Sequence, residues 1–283
     1  MESKILFLGT GGDHHTVGKY ERSSAGIILQ LEGYQFHIDP GPGALGKMKE
    51  YGVNPRETMG LLVSHAHMNH CNDVNAVLSA MTLNGQDKKG ILICGQSLIN
   101  GTDKIRPVVP LHYQNFVERI ILPEADKKIG IENIEIQTLK TLHSDPHNIG
   151  FKFFTKDFVL SYISDTTYSA ELVKQYEKSD ILILNVVFPF GVKSKINLNS
   201  YNAVKIIDKV KPRLAIITHF GKRMLKVDPV IEAREISKQS MCQVLAANDG
   251  MVISPNYYSA SSRQKTLQGF QEPSEEKDDS VSE

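Results

Sequence analysis

Gly60-Leu61-Leu62-Val63-Ser64-His65-Ala66-His67-Met68-Asn69-His70 is the stretch that decides the fold. An apolar run fit for one buried strand ends at Ser64, and three imidazoles follow at i, i+2 and i+5. That spacing suits neither one face of a helix nor one face of a strand, whereas a tight loop leaving a buried strand can aim all three rings at one point. Imidazole is the commonest protein ligand for zinc, and crowding several desolvated rings costs stability unless a cation offsets it. The competing reading is a solvated histidine-rich turn, which has no use for partners elsewhere in the chain.

Such partners exist. Leu139-Lys140-Thr141-Leu142-His143, Leu160-Ser161-Tyr162-Ile163-Ser164-Asp165 and Ala215-Ile216-Ile217-Thr218-His219 each place a candidate ligand just past an apolar strand. Strand ends along one rim are where side chains distant in sequence can converge. Between these segments, alternation and apolar runs predict strands over 4–8, 25–31, 34–38, 61–64, 131–139, 150–154, 158–163, 181–187 and 214–218. Glu32-Gly33 joins two of them as a hairpin. Helices are expected over 44–51, 73–83, 168–176, 201–210 and 229–239, the last with Pro229 in its first turn. Strand-rich halves with helices between them imply two sheets packed face to face and covered by helices. The stretch 86–115 is a candidate lid.

The chain has 283 residues, 41% of them hydrophobic, ample for one large core. Lys+Arg and Asp+Glu are both 32, so the whole molecule lacks the basic field of a nucleic-acid footprint. No run approaches the length of a membrane span, and Ile5-Leu6-Phe7-Leu8 is too short for a secretory signal. Cys71, Cys94 and Cys242 are odd in number and far apart, which fits a reducing, cytoplasmic location. One domain is expected over 1–258. The acidic tail over 259–283 is expected to be disordered, with too little apolar surface to offset ordering entropy. A homodimer is left open.

Taken together, His65-x-His67-x-Asn69-His70, His143, Asp165 and His219, with the early loops Gly9-Thr10-Gly11-Gly12 and Asp39-Pro40-Gly41, resemble the metallo-β-lactamase-fold hydrolases over residues 4–255. The resemblance implies an αββα four-layer sandwich of two mixed β-sheets flanked by helices, with a two-metal site at its rim. It implies that His65, His67 and His143 hold the first metal, that His70 and His219 hold the second, and that Asp165 bridges them. Independently, six N and O donors without a thiolate pair suit Zn2+, with Mn2+ or Fe as alternatives. The segments Thr218-His219-Phe220-Gly221-Lys222-Arg223 and 161–166 are most similar to the ribonuclease Z-like and phosphodiesterase branch. Its chemistry would be hydrolysis of a phosphodiester by a metal-bound hydroxide, with Arg223 as the candidate clamp on a phosphate oxygen. A small-molecule or short oligonucleotide phosphodiester is the expected substrate, with His112 as a further substrate contact.

Two positions depart from the family. Asn69 stands where the family has aspartate; it carries no charge, cannot accept a proton, and should weaken the second metal site. Spacing places Asn197 where the branch has a histidine proposed as general acid, and asparagine cannot supply that proton. Asp73, Asp145 and His112 are the candidates to replace the lost groups. The alternative function is a degenerate member that binds metal and a nucleotide or RNA ligand without turnover.

Overall fold

The computed structural model describes residues 2–259. Its strands are β1 (Lys4–Phe7), β2 (Ile27–Leu31), β3 (Tyr34–Ile38), β4 (Thr58–Val63), β5 (Ile91–Cys94), β6 (Arg119–Ile121), β7 (Lys128–Ile131), β8 (Ile134–Lys140), β9 (Ile149–Phe154), β10 (Val159–Ile163), β11 (Ile181–Phe188), β12 (Leu198–Asn199), β13 (Leu214–Thr218), β14 (Val244–Ala246) and β15 (Val252–Ile253). They form two sheets, ordered β15-β1-β2-β3-β4-β5-β6 and β14-β13-β11-β10-β9-β8-β7, with β12 paired to β11. Each sheet has an antiparallel half and a parallel half: β15 to β3 is antiparallel and β3 to β6 parallel, while β14 to β10 is parallel and β10 to β7 antiparallel.

Alternation along single strands builds the four layers. Leu62 of β4 points into the core between the sheets, while Leu61 and Val63 pack under the helices Ala44–Glu50 and Val74–Thr82. In β11, Ile181 and Ile183 face the other sheet, while Leu182, Leu184 and Val186 pack against the helices Ser200–Val210 and Pro229–Ser240. Strands covered on both faces have no solvent side, which is why they read as continuous apolar runs. The architecture is the αββα sandwich of two mixed sheets.

Several details differ from the sequence reading. The run 131–139 is a hairpin of β7 and β8, because Glu132 takes a left-handed backbone (φ 51°) and reverses the chain. The stretch 86–115 does not act as a loose lid throughout: β5 is a buried strand paired in parallel to β4. The Glu32-Gly33 hairpin is present, both residues at positive φ as its tight turn requires. Asn199 caps the helix Ser200–Val210, its side chain and that of Asn202 bonding each other's backbone. Of the expected tail, only Ser259 falls within the described residues, and it is buried. The three cysteines are free. Among the described residues, no helix is long and apolar enough to cross a membrane.

Candidate metal centre

All four ligand-bearing segments leave strand ends at one rim of the sandwich. His65 and His67 follow β4, His143 follows β8, Asp165 follows β10 and His219 follows β13. The side-chain nitrogens of His65, His67 and His143 lie within 4.8 Å of one another, as do the donor atoms of His65, His70 and Asp165. His219 Nε2 is 3.3 Å from Asp165 Oδ1, while His70 Nε2 and His143 Nε2 are 3.7 and 3.8 Å from Asp165 Oδ2. The carboxylate therefore lies between the two groups of rings.

The outer partners fix which nitrogen of each ring faces the centre. His143 Nδ1 donates to the Ile196 carbonyl at 2.8 Å, which leaves its Nε2 lone pair directed inward. Ser64 Oγ donates to Asp39 Oδ2 at 2.8 Å, so it accepts from His65 Nδ1 at 2.9 Å, and the His65 Nε2 lone pair also points inward. His70 Nδ1 donates to the same Asp39 oxygen at 2.9 Å. Its Nε2 is buried without a hydrogen-bond partner. His67 Nδ1 sits 2.8 Å from His65 Nε2 and 3.2 Å from His143 Nε2. Lone pairs converging at such distances, beside an orphaned buried nitrogen and a carboxylate, are a donor set that a divalent cation satisfies. The residues present fit the metal that the fold implies.

Electrostatics divides the rings. Burial, and then the charge of His70, hold His65 well below the ordinary imidazole pKa. Burial works against protonation of His70 too, but Asp39 and Asp165 outweigh it and push its pKa up to about 10. Burial would raise Asp165, yet His219 and His70 keep it well below the usual carboxylate range, so it stays ionised as a bridging ligand must.

Asp39 is the hub that the sequence reading gave no role beyond an early loop. It accepts from the Ser64 backbone N–H (2.6 Å), Ser64 Oγ, His70 Nδ1 and the Tyr162 hydroxyl (2.6 Å), and so ties both sheets to the histidine loop. Asn185 was missed as well. It is the polar exception inside β11, an otherwise apolar strand, and its Nδ2 donates to Asp165 Oδ1 at 2.8 Å. Asn197 Nδ2 donates to Asp165 Oδ2 at 3.2 Å, so each carboxylate oxygen is held by one amide. Asn197 is thus at the site, holding the Asp165 carboxylate rather than offering an acidic proton.

Asn69 Nδ2 lies 3.2 Å from both the Gly12 carbonyl and His219 Nε2, where an aspartate would bring charge to the His70 and His219 side. His219 itself has a left-handed backbone (φ 65°) and packs against Gly12, where a Cβ would come within 2.0 Å of the His219 carbonyl. The early glycine loop is therefore a requirement of the ligand's position. None of the candidate replacements reaches the centre. Asp73 Oδ2 accepts from the backbone of Gly43 and Ala44, and Asp145 is bonded to Ala66 N, Ser97 Oγ and His147 N. His112 is on the exposed helix Leu111–Gln114 with its ring against Tyr113 and Phe116, outside the lining of the cavity over the donor cluster.

A cavity of about 810 Å³ opens over His67, Asn69, His143 and Asp165. Arg223 lines it together with Lys193, Lys222 and Lys226, and among the described residues none of the four is in an ion pair.

This sandwich, with a histidine and aspartate cluster at its rim, is the metallo-β-lactamase fold. Over residues 34–220 the chain matches the family described as the beta-lactamase superfamily domain, and it belongs to that family. An uncharacterized protein of Methanocaldococcus jannaschii is 29% identical over 255 residues, spanning 89% of this chain and 95% of that protein. Ribonuclease Z of Borreliella burgdorferi is 20% identical over 281 residues, spanning 79% and 87%. Among solved structures, the metallo-beta-lactamase fold protein YhfI from Bacillus subtilis aligns with a TM-score of 0.74 at 19% identity, covering 89% of this chain and 99% of that one. The short form of human tRNase Z aligns at 0.65 and 18%, covering 89% and 98%.

Proposed function

We propose that the chain is a metal-dependent hydrolase of phosphodiesters, acting on a small molecule or a short oligonucleotide, with His65, His67, His143, Asp165, His70 and His219 holding Zn2+, or Mn2+ or Fe in its place. The observation that carries this reading is the convergence of two imidazoles fixed by outer partners, His65 and His143, with His67 and an orphaned His70 nitrogen around one ionised carboxylate. A divalent cation bound there supplies a Lewis acid and lowers the pKa of water. The chain's own groups do the rest. Asn185 and Asn197 hold Asp165 in place, one at each oxygen. Arg223 offers a planar guanidinium for a phosphate oxygen. Asn69 and Asn197 can neither take nor give a proton in the usual way, so the leaving group must depart largely unassisted. Esters of acidic alcohols are accordingly the favoured substrates.

That same pair of asparagines favours a second reading, a degenerate member that binds a nucleotide or RNA without turnover. Metal analysis with a bis(p-nitrophenyl) phosphate assay separates the two. About two metals per chain with turnover lost in His65→Ala supports the hydrolase. Full loading with no turnover on diesters or simple esters favours the silent binder.

A further inference from the structure

We propose that the substrate is an amphipathic phosphoester with one anionic and one apolar arm, an inference that rests on the phosphodiesterase reading above. The cavity has two unlike walls. On one, the helices His14–Gly18 and Lys222–Val227 present His14, His15, Lys222, Arg223 and Lys226. One carboxylate, Asp13, stands among them; its two oxygens accept from Thr16 N and Lys222 N, both at 2.8 Å, which leaves the basic side chains in excess on this wall. Asn69 keeps the floor beside them free of the charge an aspartate would add, so an anionic arm meets a net positive wall on that side.

The adjoining wall, which meets the first where the Val187 carbonyl accepts from Gly221 N at 3.1 Å, is apolar. Val187 and Phe188 at the end of β11, then Val192 and Ile196 on the strap that follows, line the cavity, with Lys193 as the cation among them. At and just beyond the lining, large apolar side chains stand in water next to the three-histidine group. Met68, 62% exposed, follows His67; Leu142, 42% exposed, precedes His143; Ile196, 45% exposed, belongs to the residue whose carbonyl accepts from His143 Nδ1. Each is next to His67 or His143 in the chain or through a hydrogen bond, and it is their grouping at one cluster, not their single exposures, that marks a binding surface. A hydrocarbon or aryl arm laid across them removes that surface from water, while the cationic wall takes the phosphate and any second anionic group.

The test is a series of methyl-, propyl- and pentylphosphonate titrated by calorimetry into the zinc-loaded full chain. Kd is expected to fall about threefold per added methylene. In the Met68→Ser/Leu142→Ser/Ile196→Ser variant that dependence on chain length disappears. In Arg223→Gln/Lys226→Gln every member weakens by a similar factor and the dependence remains. A flat series in the unaltered chain, or a gain with length that survives the triple substitution, overturns the proposal. Bis(p-nitrophenyl) phosphate turnover in the same preparation reports separately on the phosphodiesterase reading. Turnover with a flat alkyl series overturns the amphipathic substrate alone; a steep series with no diester cleaved supports the two-walled site and overturns the phosphodiesterase assignment.

Discussion

The two sides of the donor cluster are built to different standards. On the His65, His67 and His143 side, outer partners fix the His65 and His143 rings through Ser64 and the Ile196 carbonyl, and the inward nitrogens crowd together at 2.8 to 3.2 Å. On the His70 and His219 side, Asp39 orients one ring, the other sits on a left-handed backbone, and an uncharged Asn69 takes the place of a ligand carboxylate. The difference teaches that one rim can carry a well-supported set of donors beside a less charged one, the ring centroids of His65 and His70 being separated by only 4.1 Å. Affinity on each side is then set by its own ligands and their outer partners.

The largest expected effect concerns the scaffold beneath both sides. His37 is fully buried, Nε2 donating to the Ala25 carbonyl at 2.8 Å, and desolvation lowers its pKa to about 4, against the hydrogen bond to Ala25 and the charge of Asp39. Its folded pKa lies below the unfolded value of 6.5, so the stability tied to the neutral ring is present above pH 6.5 and lost as pH falls toward 4. The loss should reach about 3 kcal/mol. Denaturant melts of the metal-free chain at pH 7 and pH 4 measure it, and His37→Gln should shrink the difference. An equal pH response in that variant would show that acid acts through the cluster instead.

Next in size is Asp39→Asn, which removes the shared acceptor of Ser64, His70 and Tyr162. Loss of such an outer partner costs on the order of 10- to 100-fold in metal affinity. Competition with a chelator should show both sides weakened together, because Asp39 reaches His65 through Ser64 as well as His70 directly. A change confined to one metal would break the idea of a common hub. Asn69→Asp should act on one side only, tightening the second metal on the order of tenfold and raising turnover. An unchanged second affinity would mean that Asn69 does not face that metal. At the small end, His112→Ala should leave kcat/KM for bis(p-nitrophenyl) phosphate within about twofold.

Much of this was legible because buried strands advertise themselves. The runs 34–38 and 214–218 appear in the structure with the expected bounds, and the residues just past β4, β8, β10 and β13 converge as strand ends at one rim must. What escaped has local physical reasons. Ile91–Cys94 is a four-residue apolar run without alternation, indistinguishable in sequence from part of a loop until β4 offers it hydrogen bonds. The reversal at Glu132 uses no glycine or proline. Asn185 gave a readable signal, one amide in an otherwise aliphatic strand, which only a buried partner such as Asp165 explains. His112 has a local use that the sequence does not show, its ring packing against Tyr113 and Phe116.

The Asp39 hub also bears on how the chain matures. Synthesis delivers β1 to β6 first, with the histidine loop and Asp39, while Tyr162, His143, Asp165 and His219 arrive later on the other sheet. Neither half alone holds a complete set of donors, so on the proposed function tight metal uptake would have to wait for the sheets to dock. Metal capture would then be a readout of completed folding, and a chain truncated before β10 should remain a poor chelator despite carrying its most histidine-rich segment.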